Sequence, residues 1–478
     1  MKLKINYNIV LYALLLLILS LFCFPSDSPL YNFIETDVAI FRFAGSTIPQ
    51  GFVLFKDIFD HKGPLVFFIY ALGYLFSNTS QWGYFILAFL ALYFSCYYSY
   101  LISKKANLNK WILMAYPFIM TFILSGTIGQ TENFALVFNS IALFIVVRNL
   151  YDNRKNLSSN ECYLIGILLA FSFLTKVTNC FVIIGICVFY FIDYLKSKEY
   201  KELFYSIGRV LIAFIGVNLI FLMYFVINDG VEEYVFASFT ANLIYSDNNN
   251  SFEFSNFIIR NIGFVIPAVF AYLHTNNKRI KLFIVIANLF AIIGQNIGGI
   301  ALHYRVANLT LYAYCFALGI MYLKKNWQKV VYMTLPIVLF LKSFAMSVWK
   351  VPTYGLYYRN ADDVAQQFKD EYTIEPKDKI IILNSPPCMY FLLDVLPSSP
   401  FFTLQDHWSE KFDSKIHEDI IASIINKDFD YIITTNKNIS NNSKLVESVN
   451  QNYELDTMYQ ADNYKGDQFT LLVYQNRK

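Results

Sequence analysis

Apolar residues in this chain fall into long unbroken runs rather than into the interleaved pattern of a soluble domain. The first follows a short basic flank in MKLKINYNIVLYALLLLILSLFCF, and others lie at about 82–102, 111–125, 133–150, 161–175, 177–194, 205–227, 257–273, 281–300, 304–323 and 329–348. Each is near the length at which a helix crosses a hydrocarbon core, with 111–125 and 161–175 on the short side, so a polytopic α-helical membrane protein with about eleven transmembrane helices is expected. No small-x-small cleavage site follows the first run, and Phe22 precedes Cys23. The run therefore reads as a retained span with a cytoplasmic N-terminus.

Beyond residue 350 the pattern changes. Short β-rich runs (KIIILN, PFFTL, DYIITT and FTLLVYQN) alternate with polar segments of helical length such as HWSEKFDSKIHEDIIASII. A small α/β domain over 350–478 is expected after a transmembrane part over 1–349.

Composition agrees with the pattern. Hydrophobic residues make up 56% of the chain and charged residues 15%, against roughly 25% charged in soluble domains. The net charge of +3 gives no reason to expect nucleic acid, and five histidines leave few residues for a metal cage. Membrane lipids and lipid-linked molecules are the expected partners. Six of the seven cysteines lie in apolar stretches; only Cys388 falls in the C-terminal region, which therefore has no internal disulfide.

Charge sets the expected sides. The connections KKANLNK, RNLYDNRK, KSKEYK, KRIK and KKNWQK each carry three Lys or Arg, while the loops between them carry almost none beyond Lys176 and Arg305. The positive-inside rule puts the basic set in the cytoplasm. The run GPLVFFIYALGYLF at 63–76 then cannot be a span without inverting every later loop. It reads instead as a helix at the outer interface, inside a large outer loop at 25–81. The region after 350 also faces outward.

Charged residues are costly beside a bilayer, which makes the first loop the densest source of candidate chemistry. It holds Glu35, Asp37, Arg42, Lys56, Asp57, Asp60, His61 and Lys62 among aromatic residues. Asp37 opens an apolar-periodic segment, where a carboxylate caps a helix; it is also suited to take a proton from a hydroxyl acceptor. In DIFDHKGP, Lys62 places a cation at a helix start, where backbone N–H groups also favour an anion such as a lipid-linked phosphate. The alternative is a turn network of Asp57, Asp60, His61 and Lys62. Glu132, Lys176, His303 and Arg305 are further outer-facing candidates, with helix capping, ion pairing and interfacial anchoring as their plainer roles.

These residues carry a resemblance. The chain resembles bacterial membrane glycosyltransferases of the dolichyl-phosphate-mannose protein mannosyltransferase type, with the glycosyltransferase C fold, and most closely a subgroup whose first loop ends in DHKGP. Asp37, Phe41, Gly51, Asp57, Asp60, His61, Lys62, Gly63 and Pro64 keep that order and spacing. TENF at Thr131–Phe134, LTK at Leu174–Lys176 and His303–Tyr304 are similar to later signatures.

The resemblance implies transfer of a sugar from a polyprenyl-phosphate donor to a glycolipid, polysaccharide or protein acceptor on the outer face of a bacterial inner membrane. Asp37 maps onto the catalytic carboxylate. Asp57, Asp60, His61, Lys62, Glu132, Lys176, His303, Tyr304 and Arg305 are the expected substrate-binding set, with inversion expected at the sugar. No metal ligands are assigned; a divalent cation stays open as a cofactor, and Lys62, Lys176 or Arg305 at the leaving phosphate could replace it. Two rivals stand beside this reading, a transporter or flippase of lipid-linked sugars and a non-catalytic glycan-assembly protein. Few charges near span centres and no paired broken helices speak against transport.

Overall fold

A computed structural model describes residues 7–31, 36–78, 80–248, 254–297, 301–375, 377–383, 388–402, 414–435, 443–462 and 468–476. Helices occupy the expected apolar runs. They are α1 (Tyr7–Cys23), then α2 (Thr36–Thr47) and α3 (Pro64–Phe76) within the first loop, α4 (Trp82–Ala106), α5 (Lys110–Leu124), α6 (Thr131–Tyr151), α7 (Ser159–Thr175), α8 (Phe181–Ser197) and α9 (Tyr200–Ile227). Short helices α10 (Val231–Val235) and α11 (Ala241–Asn248) precede α12 (Phe254–His274), α13 (Lys278–Asn296), α14 (Leu309–Tyr322) and α15 (Asn326–Glu371). Six of the described helices are long and apolar enough to cross a membrane, at Trp82–Ala106, Thr131–Tyr151, Val177–Ser197, Tyr200–Ile227, Phe257–His274 and Lys278–Asn296.

Local chemistry sets the helix ends. Ser158 and Glu161 form a reciprocal capping box at the start of α7, and the Asn109 and Asn277 side chains accept the first free N–H groups of α5 and α13. Three of the basic connections, KKANLNK, RNLYDNRK and KRIK, meet through ion pairs and hydrogen bonds. Lys105 pairs with Asp152, Arg148 and Arg154 both meet Glu161 at 2.5 Å, and Arg279 meets Asp193 at 2.7 Å. At 13 residues, α3 is about 20 Å long, shorter than a hydrocarbon core of roughly 30 Å. It packs on α2, α4 and α7.

The sequence pattern breaks at 350, but the helix does not: α15 runs without interruption for 46 residues, from the apolar bundle into the C-terminal region. There α16 (Cys388–Leu393), α17 (Ser414–Ile425) and α18 (Ser443–Asn452) accompany a four-stranded sheet of β1 (Ile380–Leu383), β2 (Tyr431–Thr435), β3 (Tyr453–Asp462) and β4 (Gln468–Asn476) in the order β1-β2-β4-β3. β1 and β2 are parallel; the other pairs are antiparallel. One strand expectation needs correction, and one strand goes beyond those expected. In PFFTL, residues 400–402 are not strand, and 403–404 lie outside the described residues, as do 407–413 of the polar helical segment. The additional strand is YELDTMYQAD, whose bulge between Leu455 and Thr457 breaks its period. It lies at the edge of the sheet against the end of α15, where the Tyr459 hydroxyl donates to Glu371 at 2.5 Å.

An aromatic seam joins the sheet domain to the first loop. Phe43 of α2 stacks on Tyr390 with centroids 4.9 Å apart and meets Phe402 at 5.2 Å, while Phe59 meets Phe401 at 5.0 Å and its N–H donates to Pro400 O at 2.9 Å.

Candidate active site

The first loop is shaped by three local devices. Asp37 lies in the first turn of α2, where the helix dipole favours a carboxylate. Gly51, at φ 98°, ends the short helical turn after α2. Asp57 then closes its own turn, its N–H donating to Val53 O at 2.8 Å and its Oδ2 accepting from Val53 N at 2.7 Å. Past that turn the chain must run hard against α7. Gly63 N donates to Thr175 O at 3.1 Å, and a Cβ on Gly63 would stand 2.1 Å from Leu174 O. Glycine is required by this contact, and Pro64 starts α3 with no N–H to leave unpaired.

The chain crossing at Gly63 puts DHK beside the end of α7. Asp60 is buried, and its Oδ1 accepts the Lys62 N–H at 2.8 Å. Burial pushes the Asp60 carboxyl up to about 6 against the opposing charge of Lys62. His61 is driven well below its ordinary value by burial and by the charges of Lys62 and Lys176. It is therefore neutral at pH 7. Its Nε2 lies 2.6 Å from Lys62 Nζ, and facing an ammonium it must accept, which leaves the ring proton on Nδ1.

Lys176 comes to the same place from the other side. Immediately after α7 it takes an extended backbone, and its Nζ lies 3.0 Å from Glu132 Oε1 in the first turn of α6. The same Nζ sits 3.3 Å from the centroid of the Tyr304 ring. Thr131 Oγ1 donates to the other Glu132 oxygen at 2.9 Å. Asn139 holds the two turns that present these residues, donating to Asn179 O at 3.1 Å and Ala307 O at 2.8 Å. Burial lowers His303, opposed by Glu132; its ring meets Tyr304 edge-on at 4.8 Å. The charge of Asp37 acts on both Asp60 and His303, so α2 brings it to the same cluster.

Between these groups is a cavity of about 210 Å³. Its lining includes the polar side chains of Lys62, His61, Lys176, Tyr304 and Asn242 and the apolar ones of Phe239, Leu243 and Ile297. Such a site suits a charged head on an apolar tail.

The structure thus gathers Asp37, Asp60, His61, Lys62, Glu132, Lys176, His303 and Tyr304. Two candidates stand apart. Asp57 is engaged in its own turn and does not line the cavity. Arg305 is buried in the turn before α14, its guanidinium donating to Arg260 O and Ala301 O at 3.1 and 3.0 Å. Glu35 lies outside the described residues. Sequence reasoning missed Asn242, whose Nδ2 donates to His61 O at 2.6 Å; nothing in ANLIYSDNNN marks it. It also missed Asp27, a buried carboxylate accepting from Thr127 Oγ1 at 2.7 Å and Ile128 N at 2.8 Å, which fixes the loop leading to Glu132. An acid just after the first span was the available signal. Among the described residues no three His, Cys, Asp or Glu side chains are grouped to hold a metal ion.

Residues 61–222 match the family described as dolichyl-phosphate-mannose-protein mannosyltransferase. The match starts at His61 and takes in Lys62, Glu132 and Lys176. No curated protein matches the chain. Among solved structures, the chain is similar to ArnT from Cupriavidus metallidurans bound to undecaprenyl phosphate, with a TM-score of 0.60, 11% identity and 98% of both chains covered. The apo state of the same protein gives 0.56 at 12% identity, covering 98% of this chain and 97% of that one. Arabinofuranosyltransferase AftD from Mycobacteria gives 0.50 at 11% identity, covering 99% of this chain and 40% of that one. The chain is a multi-pass membrane protein with the glycosyltransferase C fold.

Proposed function

Starting from a chain with the glycosyltransferase C fold, we propose that it transfers a sugar from a polyprenyl-phosphate carrier to an envelope acceptor on the outer face of a bacterial inner membrane. The observation that carries this reading is the cavity itself, whose lining combines Lys62 and Lys176 with the apolar side chains of Phe239, Leu243 and Ile297. It is supported by the likeness to a protein solved with undecaprenyl phosphate.

The residues divide the work. Lys62 holds the carrier phosphate and stabilises it as it leaves, because a cation in a buried site acts more strongly than in water. Neutral His61 accepts a hydrogen bond from Lys62 and thereby aims the ammonium. Lys176, paired with Glu132 and covered by Tyr304, supplies a fixed positive wall whose charge is largely balanced. Asp37 takes the proton from the acceptor hydroxyl as the oxygen attacks the anomeric carbon from the face opposite the phosphate. The new glycosidic bond forms, the C–O bond to phosphate breaks, and inversion results. The apolar tail keeps the donor in the bilayer throughout.

The outward orientation follows from the positive-inside assignment and places the sheet domain on the acceptor side. Mass spectrometry of envelope glycolipids, polysaccharides and glycoproteins from a deletion strain and its complemented parent tests the proposal. One acceptor class should lose a single sugar unit in the deletion strain and regain it on complementation. Identical glycan profiles in the two strains would contradict it.

A further inference from the structure

A second polar cavity in the described structure takes no part in the transfer site. It has a volume of about 420 Å³ and lies where α2 and the α3–α4 connection meet the sheet domain. That size falls within the roughly 300–1,000 Å³ typical of small-molecule sites. It shares no lining residue with the cavity that holds Lys62. Asp37 and Arg42 are five positions apart on α2, which sets them well over a right angle apart around the helix axis. The aromatic seam of Phe43, Tyr390 and Phe402 packs beside this cavity, and that of Phe59 with Phe401 leads toward Asp60.

The lining has a specific chemistry. The Arg42 guanidinium lies by two rings, 4.6 Å from the centroid of Tyr84 and 4.8 Å from that of Phe391; it also hydrogen-bonds the Tyr84 side chain, while its Nε has no hydrogen-bond partner among the described residues. Among the described residues it also forms no ion pair. A guanidinium fixed in this way presents planar donors at a set angle. Around it the rim offers Gln50 and Asn78, which both donate and accept, and the carboxylate of Asp394. Aromatic faces beside planar amides, a carboxylate and a rigid guanidinium make a surface for a ligand that is apolar on its ring faces and hydroxylated at its edges. A lipid tail would leave these polar groups unmatched, and a phosphate would face Asp394, Glu375 and Asp378 on the same wall.

We propose that this cavity is a saccharide-binding subsite, separate from the transfer cluster, that holds a hydroxyl-rich sugar unit of the acceptor remote from the one being extended. The proposal rests on the transferase reading for the word acceptor, but the binding itself does not. A saccharide seated there bridges α2 and the sheet domain, so the same contact that selects the acceptor also fixes the position of α2.

The test is a binding titration on the full-length protein in detergent, with no donor present. The probe is the oligosaccharide mixture released by mild acid from the envelope of the same bacterium, followed by saturation-transfer NMR. Two variants accompany the native protein. Asn78→Trp fills the exposed rim, and Arg42→Met keeps the packing between Tyr84 and Phe391 while removing the donors. The native protein should bind, and both variants should bind at least about tenfold more weakly, while Asn78→Trp keeps the native affinity for a polyprenyl-phosphate donor. The donor measurement reports that the variant is folded. An absence of saccharide signal with native protein, or an Asn78→Trp variant that binds saccharide as the native does, would overturn the proposal. Loss of transfer chemistry with saccharide binding intact would instead count against the transferase reading alone.

Discussion

Lys62 is the residue at which geometry and chemistry meet most closely, because its backbone N–H is held by Asp60 and its ammonium by His61. Lys62→Met keeps the aliphatic stem and removes the charge. A hydrogen bond to a charged group is worth about 1.5–3 kcal/mol, so donor affinity, turnover or both should fall by roughly tenfold or more. If phosphate is gripped equally in the ground and transition states, affinity takes the loss; if the grip tightens as phosphate leaves, turnover does. Isothermal binding and single-turnover measurements separate the two, and a variant normal in both would remove Lys62 from the phosphate site. Asp60 gives a pH signature. Its folded value of about 6 lies above the ordinary value of 3.8, so the folded state binds the proton more tightly than the unfolded state. The resulting stabilisation is fully present below the unfolded value and is lost as pH rises through about 6. Thermal unfolding of native protein and of Asp60→Asn should therefore diverge with pH, the native gaining relative to the variant as pH falls from 7 toward 4. Parallel profiles would show that Asp60 does not hold its proton in the fold.

Among the elements, the crossing of the DHKGP segment over the end of α7 decides where the lysines stand. Gly63→Ala would set a methyl 2.1 Å from Leu174 O, a backbone atom that cannot move without displacing Lys176. Overpacking of this kind costs roughly 1–3 kcal/mol. The variant should unfold at a lower temperature and bind the polyprenyl-phosphate donor more weakly, and native values for both would show that the crossing tolerates a side chain. This contact also marks the limit of sequence reading. The apolar runs, the helix at 64–76 and the basic loops were legible because hydropathy and charge act locally along the chain. DHK, TENF, LTK and His303–Tyr304 were legible as candidates, but their meeting at one cavity depends on Gly63 and Asn139, which hold turns far apart in sequence. Asn242 and Asp27 were missed for the same reason: each acts through a partner remote in sequence, and no periodicity announces it. Arg305 shows the converse, a buried cation at the expected boundary whose Nε and Nη1 donate to backbone carbonyls rather than facing the cavity. The strand at 453–462 was missed because among its described side chains only Tyr453 and Tyr459 are buried, Leu455 and Met458 are exposed, and a bulge between Leu455 and Thr457 breaks the two-residue period.

For the whole molecule, the inside and outside of the membrane follow from one decision, that α3 does not span. Reporter fusions after about residue 105 should then report cytoplasm, and fusions after about 350 should report the outer side. A cytoplasmic tail would invert the sheet domain and separate it from any envelope acceptor. The 46-residue α15 ties that domain to the bundle, and the aromatic seam ties it to the first loop, so the sheet domain packs against the loop that carries Asp37 and Lys62. The most direct measurement is sugar transfer by protein reconstituted in liposomes, using a radiolabelled polyprenyl-phosphate sugar and an envelope acceptor fraction, with Asp37→Asn beside the native chain. The amide keeps the shape of the side chain but cannot take a proton. The native protein should release polyprenyl phosphate and label the acceptor, whereas Asp37→Asn should bind the donor with near-native affinity and label the acceptor only at background. Native-rate labelling by Asp37→Asn, or no labelled acceptor with the native protein, would contradict the proposed transfer.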